Sequence, residues 1–286
     1  MNWEKDKHTI VSTYYHCIDI NNKELFDRLE KHYEKCNRLY PIIRFISERL
    51  STVWFLTLHD KLWDADIIDR SVLEVIIKLT FILKSPDKNE FETRLNEYWN
   101  DLWEISSLKH SDQAKKQLTY FKDRHSQLAY IPLLLSEEEE MKLREKWNRK
   151  DRNRLTQKWS FSEMLFSLMK DYDGQPFDML IGLAHEYRMC SHIAHGDESG
   201  IGMIDERKSR KEDEREAVHR GHFIKLLSNC LAYSSWVSLN VMNYLKEDKQ
   251  FVSENLLRLS EIKEIERIYQ EKVFDDPDYD KIKKEI

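Results

Sequence analysis

The stretch FDMLIGLAHEYRMCSHIAHGD, residues 177–197, decides the reading of the fold. It follows a turn, Asp171-Tyr172-Asp173-Gly174-Gln175-Pro176, and it stops at Gly196. Place its residues at about 100° each, with His185 as zero. Leu180, Leu183, Tyr187, Cys190 and Ala194 then cluster between about 140° and 220°. Arg188 falls near 300°, His192 near 340° and His195 near 280°, beside His185 itself. The segment is an amphipathic helix with one apolar face. Beside that face runs a stripe of one arginine and three histidines, open at the helix end.

Outward from this helix the same period recurs. Leu25, Leu29, Tyr33, Cys36 and Tyr40 step by threes and fours, Pro41 breaks or kinks the run, and Ile42 to Leu58 continue it, so residues 22–60 read as helix with one interruption. Asp64 or Asp66 caps the next helix, which runs from Ile67 to Ile82 and stops at Ser85-Pro86. Residues 88–108 are amphipathic, 111–130 more polar, and Ile131-Pro132 breaks the chain. Ser136 with Glu139 forms a capping box for a helix over about 137–150. A helix over 160–170 precedes the turn. Residues 196–215, rich in charge and Gly, read as a mobile loop or insertion. A long apolar helix over 216–246 and an amphipathic one over 252–272 complete the chain before a polar tail.

Composition agrees. Six Gly and five Pro in 286 residues are too few for the many tight turns of a sandwich or barrel. A 12% aromatic content excludes a wholly disordered chain. No apolar run reaches the roughly 20 residues of a membrane span. The opening MNWEKDKHT lacks the apolar core of a signal peptide. The four cysteines, Cys17, Cys36, Cys190 and Cys230, form no CxxC pair, so a reduced cytoplasmic protein is expected, with neither disulfide framework nor structural zinc. The net charge of −6 excludes a whole-surface nucleic-acid binder but not a local basic patch.

The stripe suits phosphate chemistry. Arginine holds a phosphate through two parallel hydrogen bonds. Histidine exchanges a proton near neutral pH. Arginine and histidine together are enough to cleave RNA without a metal. The structural alternative is a solvated strip whose cations favour the negative end of a helix.

Arg188 to His195, an Arg-six residues-His spacing at a helix end in an all-helical chain, resembles the signature of the HEPN superfamily. Asp69-Arg70-Ser-Val-Leu-Glu74 resembles the arginine-and-glutamate helix of an uncharacterised bacterial group of helical proteins. Tyr187, Ser191 and His195-Gly196 resemble that group's second motif. The resemblance implies an all-α, HEPN-like helical bundle with accessory helices. It places a core at about 20–110 and 160–246 of a single domain spanning 1–286, with accessory helices at about 111–158 and 250–275. It also implies a metal-independent endoribonuclease of phage defence or toxin–antitoxin systems, a homodimer with a composite cleft, and an antitoxin or companion protein. Arg188 would bind phosphate, and His195, assisted by His192, would act as acid and base. Tyr187, Ser191, Arg70 and Glu74 would support them. The Arg70–Glu74 spacing also suits a simple intrahelical ion pair.

Two alternatives accompany this reading. Met189 follows Arg188 where RNA-cleaving members carry a polar residue, which favours a non-catalytic RNA-binding or protein-interaction module. His185, His192 and His195, completed by Asp197 or Glu74, would instead serve a metal-dependent hydrolase. The basic run 142–158 offers Lys146, Arg149, Lys150, Arg152 and Arg154 to an RNA backbone, with Trp147 and Trp159 to stack bases. Its alternative is a solvated helix balanced by Glu137–Glu140. No Gly-rich phosphate loop or dinucleotide fingerprint is present, so no cofactor is expected.

Overall fold

The computed structural model describes residues 2–170 and 178–274, and every regular element among them is helical. In chain order these are α1 (Trp3–Lys31), α2 (Tyr33–Cys36), α3 (Tyr40–Leu58), α4 (Leu62–Leu83) and α5 (Lys88–Asn96). A π turn (Glu97–Asp101) leads into α6 (Leu102–Leu118), α7 (Arg124–Gln127), a 3-10 turn (Ile131–Leu133), α8 (Glu137–Lys146), α9 (Arg149–Lys158) and α10 (Phe161–Lys170). Then come α11 (Asp178–His195), α12 (Glu198–Ser209), α13 (Glu212–Leu245), α14 (Gln250–Arg258), a 3-10 turn (Leu259–Glu261) and α15 (Lys263–Phe274). No helix among the described residues is long and apolar enough to cross a membrane. The turn expected at 171–176 and the polar tail lie outside the described residues.

The helices gather in two compact units, residues 2–83 with 178–274, and residues 84–170. This division differs from the single domain read from the sequence. Residues 84–110 and 160–170, expected in the core, group instead with the helices expected to be accessory.

In the first unit α4 is central, packed by α3, α11 and α13, while α1 lies on α13 and α14. Val72, Leu73, Ile76, Ile77 and Ile82 of α4 are fully enclosed, as are Phe223, Ile224, Leu226 and Leu227 of α13. Helix α1 starts far earlier than the expected residue 22. Its buried stripe, Ile10, Tyr14, Cys17, Asn21 and Leu25, passes through a polar residue. Asn21 is satisfied by Ser235 (3.0 Å) and Asn255 (2.8 Å), partners the sequence does not reveal. Pro41 does not kink a helix. It sits in the first turn of α3, where no backbone donor is needed.

In the second unit α6 packs on α8 and α9 around Leu95, Ile105, Leu108, Leu155, Trp159 and Leu168. The Ser136–Glu139 capping box forms as read, with both reciprocal hydrogen bonds.

The loop expected at 196–215 is in fact a helix. Asp197 caps α12, accepting from Gly200 N at 3.0 Å. Gly196, at φ +58°, supplies the left-handed turn after α11. Gly200 lets α12 approach: a Cβ there would run into the carbonyl of His192. Gly200, which looks like a loop residue in sequence, is the close-contact residue of a helix pair.

Candidate functional site

Helix α11 meets the molecule on two sides and solvent on a third. Towards α4, the Arg70 guanidinium donates to Tyr187 OH (2.8 Å) and Ser191 Oγ (3.2 Å), and lies 4.7 Å from the centre of the Tyr187 ring. Arg70 also faces Glu74 at 4.0 Å, and Glu74 accepts from Lys78 at 2.8 Å. The structure therefore brings Arg70, Tyr187 and Ser191 together. Glu74 stays on its own helix and does not orient α11. Burial, reinforced by the Glu74 charge, raises the Tyr187 hydroxyl above the usual tyrosine range. It remains a neutral partner for Arg70.

On the solvent side stand His185, Arg188 and His195, all exposed. Ala194, expected on the apolar face, is exposed too. His192 departs from the stripe in function: its Nδ1 donates to Asp197 Oδ2 at 2.7 Å, tying the end of α11 to the cap of α12. The amide of Gly200 and this imidazole together hold the Asp197 carboxyl below the usual range. The three histidines do not converge as metal ligands. Among the described residues, one set of three brings ligand atoms within 4.8 Å of one another, and it is Asp66, Glu186 and Cys190.

That set belongs to the second packed side, a buried polar network that sequence reading missed. Asp66, expected as a helix cap, lies inside α4 and is only 2% exposed. It accepts from His222 Nε2 (2.9 Å) and Lys225 Nζ (3.2 Å) of α13. Lys225 also reaches Glu186 of α11 at 2.5 Å, so an ammonium already occupies the place between the two carboxylates. Burial opposes both charges, yet His222 and then Lys225 hold Asp66 below its usual range, and Asp66 and Glu186 hold Lys225 above its own. Burial, with the Glu186 charge added, pushes the Cys190 thiol far up, so it is no nucleophile. Asp69, fully enclosed, accepts from Asn229 at 3.1 Å, while its other oxygen has no partner. A signal was present in the sequence. His222, Lys225, Asn229 and Tyr233 step by three, four and four along one face of an otherwise apolar helix.

Part of the basic run of the second unit is paired with carboxylates. Lys146 pairs with Asp101 (3.2 Å) and Glu104 (2.6 Å), and Arg154 with Asp151 (3.1 Å). Trp147 and Trp159 donate to Glu104 (2.7 Å) and Glu97 (2.9 Å), so the indoles are structural anchors. Arg149 and Lys150 are exposed and Arg152 is half-buried.

Comparison with protein-family models, curated proteins and solved structures finds no match to this chain.

Proposed function

We propose that this protein is a metal-independent endoribonuclease of the HEPN type, acting as a homodimer. The observation that carries the reading is the contrast along α11. Glu186, Tyr187, Ser191 and His192 are each tied to a neighbour, whereas Arg188 and His195 are exposed and without a side-chain partner among the described residues. A permanent cation and a titratable imidazole on one open edge leave both groups free for substrate. The Arg70 clamp on Tyr187 and Ser191 would keep that edge rigid, which catalytic groups require.

In this mechanism His195 takes the proton of a ribose 2′-hydroxyl. The 2′-oxygen then forms its bond to the adjacent phosphorus as the bond to the 5′-oxygen breaks. A protonated histidine, His195 of the second subunit in a composite cleft, returns a proton to that leaving oxygen. Arg188 holds the phosphoryl oxygens as their charge develops. The products are a 2′,3′-cyclic phosphate and a 5′-hydroxyl. Met189, placed where RNA-cleaving members have a polar residue, lines a cavity that neither Arg188 nor His195 lines.

The test is cleavage of RNA in EDTA with mapped product ends. Wild type should leave cyclic phosphates, and His195→Ala and Arg188→Ala should each lose at least about 100-fold in rate. Both side chains are exposed, so melting should change by less than about 0.5 kcal/mol. Cleavage by both variants at the wild-type rate would remove the assignment.

A further inference from the structure

The geometry points to a second site in the first unit, independent of the ribonuclease reading: a cavity under α11 that binds a small organic oxyanion, with Arg207 as its receptor. The cavity has a volume of about 540 Å³ and is walled by α4, α11, α12 and α13. That is the size range of small-molecule sites. Its apolar wall comprises Trp63, Met189, Ile193, Met203 and Val218.

Arg207 distinguishes this cavity from a packing defect. Its guanidinium lies 4.0 Å from the centre of the Trp63 ring. One of its nitrogens is 2.8 Å from His222 Nδ1. Arginine has only donors, so that imidazole nitrogen must be the acceptor and therefore carries no proton. The other nitrogen, Nε2, donates to buried Asp66. The chain Asp66–His222–Arg207 thus contains a neutral histidine and aims a fixed, positively charged fork. No carboxylate lies within 4 Å of Arg207 among the described residues. A half-buried guanidinium normally has one. Asp66, which would be the obvious partner, is saturated by His222 and Lys225.

A ligand oxyanion would fill that role. One carboxylate or phosphate group would take the free edge of the guanidinium through parallel hydrogen bonds. The charge of Lys225 at the cavity wall is taken up by Asp66 and Glu186, so Arg207 carries the recognition of the oxyanion. The apolar wall then selects an aromatic or aliphatic body. The pre-set orientation of Arg207 means that little ordering opposes binding.

Calorimetric titration of the full-length protein tests the site with phenyl phosphate and benzoate, and with inorganic phosphate and benzyl alcohol as partial ligands. One of the two aromatic anions should bind with one-to-one stoichiometry, and the tighter one identifies the headgroup. Inorganic phosphate and benzyl alcohol should each bind at least about tenfold more weakly, because each lacks one half of the recognition. Arg207→Met should weaken the aromatic anion at least about tenfold, with Arg207→Lys recovering part of the loss. Val218→Trp, which fills the apolar wall and leaves the cations, should block the aromatic anion while circular dichroism stays that of wild type. The proposal is overturned if neither aromatic anion binds up to about 10 mM. It is equally overturned if folded Arg207→Met and Val218→Trp bind it as wild type does.

Discussion

Asp69 shows how far a single residue departs from its sequence appearance. It reads as the polar start of an Asp-Arg motif on α4, yet it is fully enclosed, and burial together with the Glu186 charge pushes its carboxyl up to about 8. The folded protein therefore holds a proton here that the unfolded chain releases near pH 4. With its folded value raised, the residue's stability contribution is complete below about pH 4 and is lost as pH rises to about 8. Asp69→Asn keeps an acceptor for Asn229 and removes the titration. Its melting temperature should match wild type near pH 4 and exceed it by at least a few degrees at pH 8, as followed by circular dichroism. Arg70 shows a second case. Its i, i+4 spacing to Glu74 suggests a surface pair of small value, but the side chain is spent on Tyr187 and Ser191. Arg70→Ala should cost about 1–2 kcal/mol in a urea denaturation midpoint, more than an exposed pair would.

At the scale of elements, the pairing of α11 with α12 matters most. The capping Asp197 serves two helices at once, starting α12 through Gly200 N and fastening the end of α11 through His192. Asp197→Ala should cost about 1 kcal/mol and speed amide exchange across both the last turn of α11 and the first turn of α12. Gly200→Ala should cost more, about 1–3 kcal/mol, because the added methyl meets backbone, which cannot rotate aside. If exchange rises in α12 alone, the His192–Asp197 bond does not couple the two helices. The same pair of helices supplies Met189, Met203 and Arg207 to the cavity, so its walls depend on this junction.

At the scale of the whole molecule, each unit has its own enclosed apolar cluster. Leu73, Ile77 and Phe223 belong to the first, and Leu108, Trp159 and Leu168 to the second. Units with separate cores need not unfold together. Urea unfolding followed by circular dichroism and by tryptophan fluorescence should therefore give non-coincident transitions. Coincident curves for both probes would show that the two cores melt as one.

The local rules of the chain were sufficient for the all-α class, the stop at Gly196, the capping box at Ser136 and the exposed edge of α11. Helix period, caps and breakers depend on neighbours within a turn or two, and those are written in order along the sequence. Where apolar steps were interrupted by a buried Asn21, or where glycine marked close approach and not a loop, local rules misread the element. Only the tertiary structure decided that Asp66 is a buried network member and not a cap. Likewise it alone tied His192 to Asp197 and left Arg207 on a cavity wall with no carboxylate within 4 Å of it among the described residues. Each of those outcomes turns on a partner from another helix. A polar side chain's burial, charge state and direction are set by what packs against it across space, and no spacing along a single helix carries that information.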